Sequence, residues 1–270
     1  MESYYSFIKK IENEEDKSTT SYYQCNKASQ GAWNPHEQHM AAATGIICAE
    51  LEQFSPATEN MRFGRIGLDI WGLIHFGEFS ITTKVIRAGK TIQLIEAVME
   101  SKGQTCIVAR AWKMLTQDTQ QIEGLSDQKI INPTDLPIYP EIKNWPGGFI
   151  ESVDVRFAKK PEAGEGVVWV TNDLEMIEGK KTSDFVHLIG MIDIANGIAP
   201  RQDPALGWMF PNLDLQIYMY RMPQGKWLGL KVCQQYGADG IGLTSSILHD
   251  EIGPFGRSEQ VLTLRPIPKK

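Results

Sequence analysis

Residues 183–198 read SDFVHLIGMIDIANGI, and this stretch decides the fold. Wound as a helix, it places Phe185, Leu188, Ile189, Met191, Ile192, Ile194 and Ile198 around nearly the whole circumference. A helix that is apolar on every side must be buried on every side. A curved antiparallel sheet wrapped around one short helix provides such a burial. Inside the apolar run stands a single acid, Asp193.

Downstream, Leu213, Leu215, Ile217 and Met219 alternate with Asn212, Asp214, Gln216 and Tyr218, the period of a half-buried strand. Strand patterns follow at Trp227–Gln235, Gly242–His249 and Glu259–Arg265, and others precede the helix at Ser152–Phe157 and Val167–Thr171. The short turns between them suit an antiparallel meander, which needs no crossover helices.

The first half repeats this order. Asn34 to Phe54 is predicted helical: Asn34 can cap, Pro35 suits the first position and Glu37 completes a capping-box spacing. Met40, Thr44, Ile47, Cys48, Leu51 and Phe54 share a face, and Gly45 marks a close approach of helix to sheet. Strands are predicted at Arg65–Trp71, Phe79–Ile86, Thr91–Met99 and Thr105–Trp112, punctuated by Gly77, Gly89 and Gly103. Gly89-Lys90 and Gly225-Lys226 are corresponding turns in the two halves. A period of half the chain means duplicated domains rather than a solenoid. Residues 117–148, with four prolines, read as a linker with turns, so the expected domains are 1–135 and 136–270. The polar segment up to Gln30 is compatible with strand or helix.

At 270 residues, 42% hydrophobic and 22% charged, the chain can bury a sizeable core. A net charge of −6 argues against a nucleic-acid partner. No apolar run approaches the roughly 20 residues of a membrane helix. The charged start MESYYSFIKKIENEEDK does not read as a signal peptide, and the cytoplasm is the expected location. Cys25, Cys48, Cys106 and Cys233 form no C-x-x-C pair and are expected as reduced core thiols. His36-Glu37-Gln38-His39 departs from the H-E-x-x-H zinc spacing, so no metal is expected. There is no G-x-S-x-G elbow, P-loop or G-x-G-x-x-G sequence.

Several words recur in a family-like order. The first half has Asp69-Ile70, Gly77, Val85-Ile86-Arg87-Ala88-Gly89-Lys90, Glu96 and Val108-Ala109-Arg110-Ala111. The second has Asp193-Ile194-Ala195-Asn196-Gly197, the run from Trp208 to Leu215, the run from Tyr220 to Trp227, Asp239-Gly240-Ile241-Gly242-Leu243 and Gly256-Arg257-Ser258-Glu259-Gln260. Over residues 31 to 266 this order resembles the acyl-CoA thioesterases of the double-hotdog type, related to bacterial thioesterase II. The resemblance implies an α+β double hotdog, two curved antiparallel sheets each wrapping a helix and joined edge to edge, with self-association into homo-oligomers. It implies hydrolysis of acyl-CoA thioesters, in fatty acid metabolism, without cofactor, metal or covalent nucleophile.

The family's catalytic trio of Asp, Thr and Gln falls on Asp193, Asn212 and Gln260, so Asn stands where the family has Thr. His39-Met40-Ala41 stands where relatives often carry His-Gly-Gly. A carboxylate in apolar surroundings has its pKa raised and becomes a better base. Gln260 shares strand parity with Leu262 and Leu264, and an amide on an apolar face needs a partner. It could orient water or donate to an oxyanion. Asn196 and Gly197 can equally end the helix. Arg87, Lys90 and Arg221, near turns, are the candidates for the phosphates of CoA, or else ordinary exposed strand-end charges. Trp71, Trp112, Trp169 and Trp227 are expected in cores or between the halves. An acyl chain is expected in an apolar tunnel beside the second helix. Two rival readings stay open. One is an enoyl-CoA hydratase on the same fold, against which the lack of a histidine near Asp193 in sequence counts. The other is a non-catalytic acyl-CoA or lipid-binding module, to which the Asn212 departure points.

Overall fold

The computed structural model describes residues 3–54, 60–202 and 206–267. Strands and helices, in order, are β1 (Ser3–Glu12), β2 (Thr19–Cys25), α1 (Met40–Gln53), β3 (Met61–Ile70), β4 (Glu78–Arg87), β5 (Ile92–Ser101) and β6 (Gln104–Leu115). Next come α2 (Gly148–Ser152), β7 (Asp154–Glu162), β8 (Glu165–Thr171), β9 (Glu175–Ile177), α3 (Asp184–Ile189) and α4 (Ala195–Ile198). The chain closes with β10 (Trp208–Met209), β11 (Asp214–Met219), β12 (Leu228–Tyr236), β13 (Ile241–His249), β14 (Pro254–Thr263) and β15 (Arg265–Pro266).

Thirteen of these strands form one sheet, ordered β7-β8-β12-β13-β14-β11-β3-β6-β5-β4-β2-β1-β9. Up to β1 the order is a palindrome about the β3–β11 pair, as a duplicated meander requires. The seam is antiparallel, with Leu68 opposite Leu215 and Ile66 opposite Ile217, all four fully buried. One segment crosses the pattern: β9, from the second half, pairs in parallel with β1 and covers part of the first half's outer edge. The undecided N-terminal segment is thus a hairpin, β1 on β2. Residues 117–148 contain two short 3-10 turns and no strand.

Both helices differ from the sequence expectation. The first begins at Met40, six residues after Asn34. Asn34 closes a local turn instead: its Oδ1 accepts from His36 N and its Nδ2 donates to Glu37 Oε1. The backbone there is committed to extended pairings, Gln30 with Gln38 and Glu37 with His75, and cannot also wind into a helix.

The second helix is broken into α3, a 3-10 turn over Ile192–Ile194, and α4. Its break is at Gly190, where it crosses α1 at Gly45. A Cβ on Gly190 would stand 3.1 Å from Gly45 Cα and 2.9 Å from the Val186 carbonyl oxygen. The close approach marked by Gly45 is therefore to a helix as well as to Met176 of β9. Residues 185–195, apart from His187, are buried, as an all-round apolar run demands.

Ser152, expected in a strand, ends α2, and β7 starts at Asp154. Cys25, Cys48 and Cys106 are buried free thiols, whereas Cys233 sits on the outward face of β12 and is exposed. Among the expected core tryptophans, Trp169 is fully buried and Trp71 is 67% exposed. No helix among the described residues is long and apolar enough to cross a membrane.

Candidate active site

A cavity of about 420 Å³ lies between the halves. The first half contributes residues around Gly31–Met40 and Ile70–Ile74, the connector Ile142 and Trp145, and the second half Asp193–Gly197 and Met209–Leu213.

The breaking of the second helix sets Asp193 in place. After Gly190 the chain tightens, with Met191 N bonded to Leu188 O and Ile194 N to Met191 O. The 3-10 turn delivers Asp193 to the cavity wall, where the residue is 6% exposed. Its Oδ1 accepts two amide hydrogens, from Asn212 Nδ2 at 2.9 Å and from Gln260 Nε2 at 2.7 Å. No donor among the described residues hydrogen-bonds Oδ2. Burial drives the Asp193 pKa up to about 7, against the opposing pull of the Asn212 and Gln260 hydrogen bonds.

Asn212 sits just before β11, bridged to Leu262 of β14. Both protons of its amide are used, one on Asp193 and one on the Asp214 carbonyl at 3.0 Å. A threonine hydroxyl has only one proton to give. Gln260 is fully buried on the inward face of β14, and its Oε1 has no hydrogen-bond partner among the described residues. The structure therefore brings Asp193, Asn212 and Gln260 together from three separate elements.

It also brings a residue that sequence distance concealed. His39 is the N-cap of α1, its Nδ1 accepting from Ala41 N at 3.1 Å. Gln38 anchors the segment leading to it, accepting from Tyr5 Oη at 2.8 Å and donating to the His75 carbonyl at 3.0 Å. The imidazole stacks on Phe149, and Nδ1 lies 3.6 Å from Asp193 Oδ2. Burial pushes the His39 pKa down to about 3, so the ring is neutral and the contact is not an ion pair. The motif His39-Met40-Ala41 is the only sequence signal for this, and it does not say that the ring meets an acid 154 positions away.

Asn196 is structural: its Nδ2 donates to the Phe210 carbonyl and its Oδ1 accepts from Gln234 and Thr244. The apolar wall includes a cluster of edge-to-face rings, Trp33 on Trp145 at 5.2 Å and Trp33 on Phe210 at 5.3 Å. Trp145 is fixed by its indole N–H on the Gly197 carbonyl. Neither Trp33 nor Trp145 stands out in the sequence, because both come from irregular segments without periodicity.

The basic candidates lie elsewhere. Arg87 donates to the Ile92 carbonyl and covers Trp112, and Lys90 occupies the β4–β5 turn. Neither lines the cavity. Arg221 is engaged within the fold. Its guanidinium forms a bidentate pair with fully buried Asp250 at 2.5 and 2.6 Å and also donates to the Gly253 and Pro254 carbonyls. Those bonds occupy the donors a phosphate would need. The cation that lines the cavity is Arg265, unremarked in the sequence.

Comparison with known proteins agrees in both halves. The family description "acyl-CoA thioesterase C-terminal domain" matches residues 133–264, and "acyl-CoA thioesterase N-terminal domain" matches residues 29–114. No curated protein matches by sequence. Among solved structures, a hot dog fold protein from Alicyclobacillus acidocaldarius aligns with TM-score 0.72 at 10% identity, covering 92% of this chain and 94% of its own. An acyl-CoA thioesterase II from Mycobacterium marinum aligns with TM-score 0.64 at 14% identity, covering 97% and 96%. The dehydratase domain of PpsC from Mycobacterium tuberculosis, solved with C12:1-CoA, aligns with TM-score 0.52 at 15% identity, covering 98% and 100%. At these identities the likeness is one of fold.

Proposed function

The chain belongs to the acyl-CoA thioesterase family, and from that premise we propose that it is a double hotdog, one unit in each half, which hydrolyses acyl-CoA with Asp193 as general base. The observation that carries this reading is the division of labour on the Asp193 carboxylate. Two amides hold Oδ1 and leave Oδ2 free at a cavity wall. A base needs a lone pair directed at a water and a pKa near working pH, and the raised Asp193 meets both conditions.

In the proposed step, water attacks the thioester carbon while Asp193 Oδ2 takes one of its protons. The carbonyl electron pair moves onto oxygen, then returns as the C–S bond breaks. The CoA thiolate leaves and takes the proton back from Asp193. The acyl group packs on the Trp33, Trp145 and Phe210 rings, and Arg265 at the cavity meets the anionic CoA portion.

One observation favours a second reading. His39 stands beside Asp193, supplying the histidine that sequence proximity lacked, and an acid–base pair across a cavity suits hydration of an enoyl-CoA. Its Nδ1 lone pair, however, is already engaged by the Ala41 N–H.

The test is thiol release from short to long acyl-CoAs, alongside enoyl-CoA consumption, for wild type and Asp193→Asn. The asparagine can keep both Oδ1 hydrogen bonds. Thiol release by wild type and its loss by about a hundredfold or more in the variant is expected. Enoyl-CoA consumption without thiol release would favour the hydratase. Binding of acyl-CoA with neither reaction would leave a binding module.

A further inference from the structure

Thioester hydrolysis, on which this inference rests, needs a hydrogen-bond donor for the carbonyl oxygen as well as a base for the water. The two amides around Asp193 are turned to its carboxylate. Both amide protons of Asn212 are engaged, and Gln260 Nε2 gives its short bond to Asp193. His39 offers a ring donor that no described residue uses. Its Nδ1 lone pair takes the Ala41 N–H, so the single proton of the neutral ring sits on Nε2. That nitrogen has no hydrogen bond to any described residue, and His39 lines the cavity next to Asp193.

We propose that His39 Nε2–H donates to the thioester carbonyl oxygen and stabilises it as it becomes an oxyanion, making His39 a catalytic residue alongside Asp193. Three features preorganise the ring. The cap bond to Ala41 sets its tautomer, the stack on Phe149 (centroids 4.2 Å apart) fixes its plane, and Gln38 anchors the preceding residue between Tyr5 and His75.

Neutrality is part of the design. An imidazolium 3.6 Å from Asp193 would stabilise the carboxylate and weaken it as a base. A neutral imidazole polarises a carbonyl without that cost, as a histidine at a helix N-terminus is known to do in another enzyme. The helix start thus contributes by selecting which ring nitrogen bears the proton, and the side chain carries the interaction to the substrate.

Two substitutions separate the cap from the donor. His39→Asn keeps an acceptor at the Nδ1 position, and Asn is among the best N-caps, but it removes the Nε2 donor. His39→Gln can place an amide N–H where Nε2–H stood, while Gln is a poor cap. With acyl-CoA as substrate and thiol release as readout, His39→Asn is expected to lose roughly a hundredfold or more in kcat with KM little changed. His39→Gln is expected to stay within about tenfold of wild type while its thermal midpoint falls by about 2 °C. The opposite pattern, an active asparagine variant and an inactive glutamine variant, would reduce His39 to a helix cap and overturn the proposal. So would two fully active variants. A wild type that releases no thiol would instead overturn the hydrolase reading itself, and this role with it.

Discussion

Gln260 donates to Asp193 Oδ1 at 2.7 Å while its own Oε1, fully buried, has no partner among the described residues. One end of the amide holds the acid, and the other is enclosed without a partner, since Gln260 is not among the residues that line the cavity. Asn212 also holds the acid, and its Nδ2 bonds the Asp214 carbonyl as well, which ties the carboxylate to the start of β11, while Asn212 itself lines the cavity. The asymmetry sets the two amides apart: Gln260 holds the acid from within the sheet, and Asn212 holds it from the cavity wall.

The pH dependence follows from this pair. In the proposed mechanism Asp193 is a base only when ionised, so kcat/KM is expected to rise with pH through about 7. Both amides stabilise the ionised form, so Asn212→Ala or Gln260→Ala should move that limb upward in pH as well as lowering the plateau. A limb that stays put or moves down would mean that another group titrates. Stability shows the same group with the opposite slope. The folded state holds the Asp193 proton to higher pH than the unfolded chain does. Its contribution is present at low pH and is lost as pH rises from about 4 to about 7. In Asp193→Asn that decline is absent, which denaturant titration at pH 5 and pH 8 would reveal.

Arg221 is expected to matter for folding rather than for CoA. Removing it in Arg221→Ala strands the fully buried Asp250, which also accepts from Gln224 N and Gly253 N. The expected cost is about 3 kcal/mol, with KM for acyl-CoA unchanged in the surviving folded protein. A large rise in KM with intact stability would return Arg221 to the substrate.

The crossing of Gly45 and Gly190 sets where the second helix breaks. Gly190→Ala would force a methyl against the Val186 carbonyl and Gly45 Cα, both backbone, and should cost about 1–3 kcal/mol. Gly45→Ala should cost less, because its shortest contact is the flexible end of Met176. Equal tolerance of both in chemical denaturation would show that the two helices have room for a methyl group where they cross.

Much of this protein is legible along the chain. The all-round apolar run at 185–198 requires a buried helix. The strand alternation points to antiparallel strands in both halves, and Asp193 stands out as the one acid in an apolar stretch. Those are local properties, written in period and composition. The two Gly-Lys turns, however, do not correspond: Gly89-Lys90 joins β4 to β5, whereas Gly225-Lys226 precedes β12, the counterpart of β4. Where the first helix starts is not legible, since the Asn34 capping pattern is also satisfied by a turn, and only pairing with residues from other segments decides between them. The break at Gly190 depends on a second glycine 145 positions away. The meeting of His39 with Asp193, the cavity tryptophans 33 and 145 and the diversion of Arg221 onto Asp250 are long-range contacts too. A sequence orders residues by chain position, whereas burial, pKa and hydrogen-bond supply are set by whatever packs alongside, and in a sheet joined at β3 and β11 those neighbours come from opposite halves.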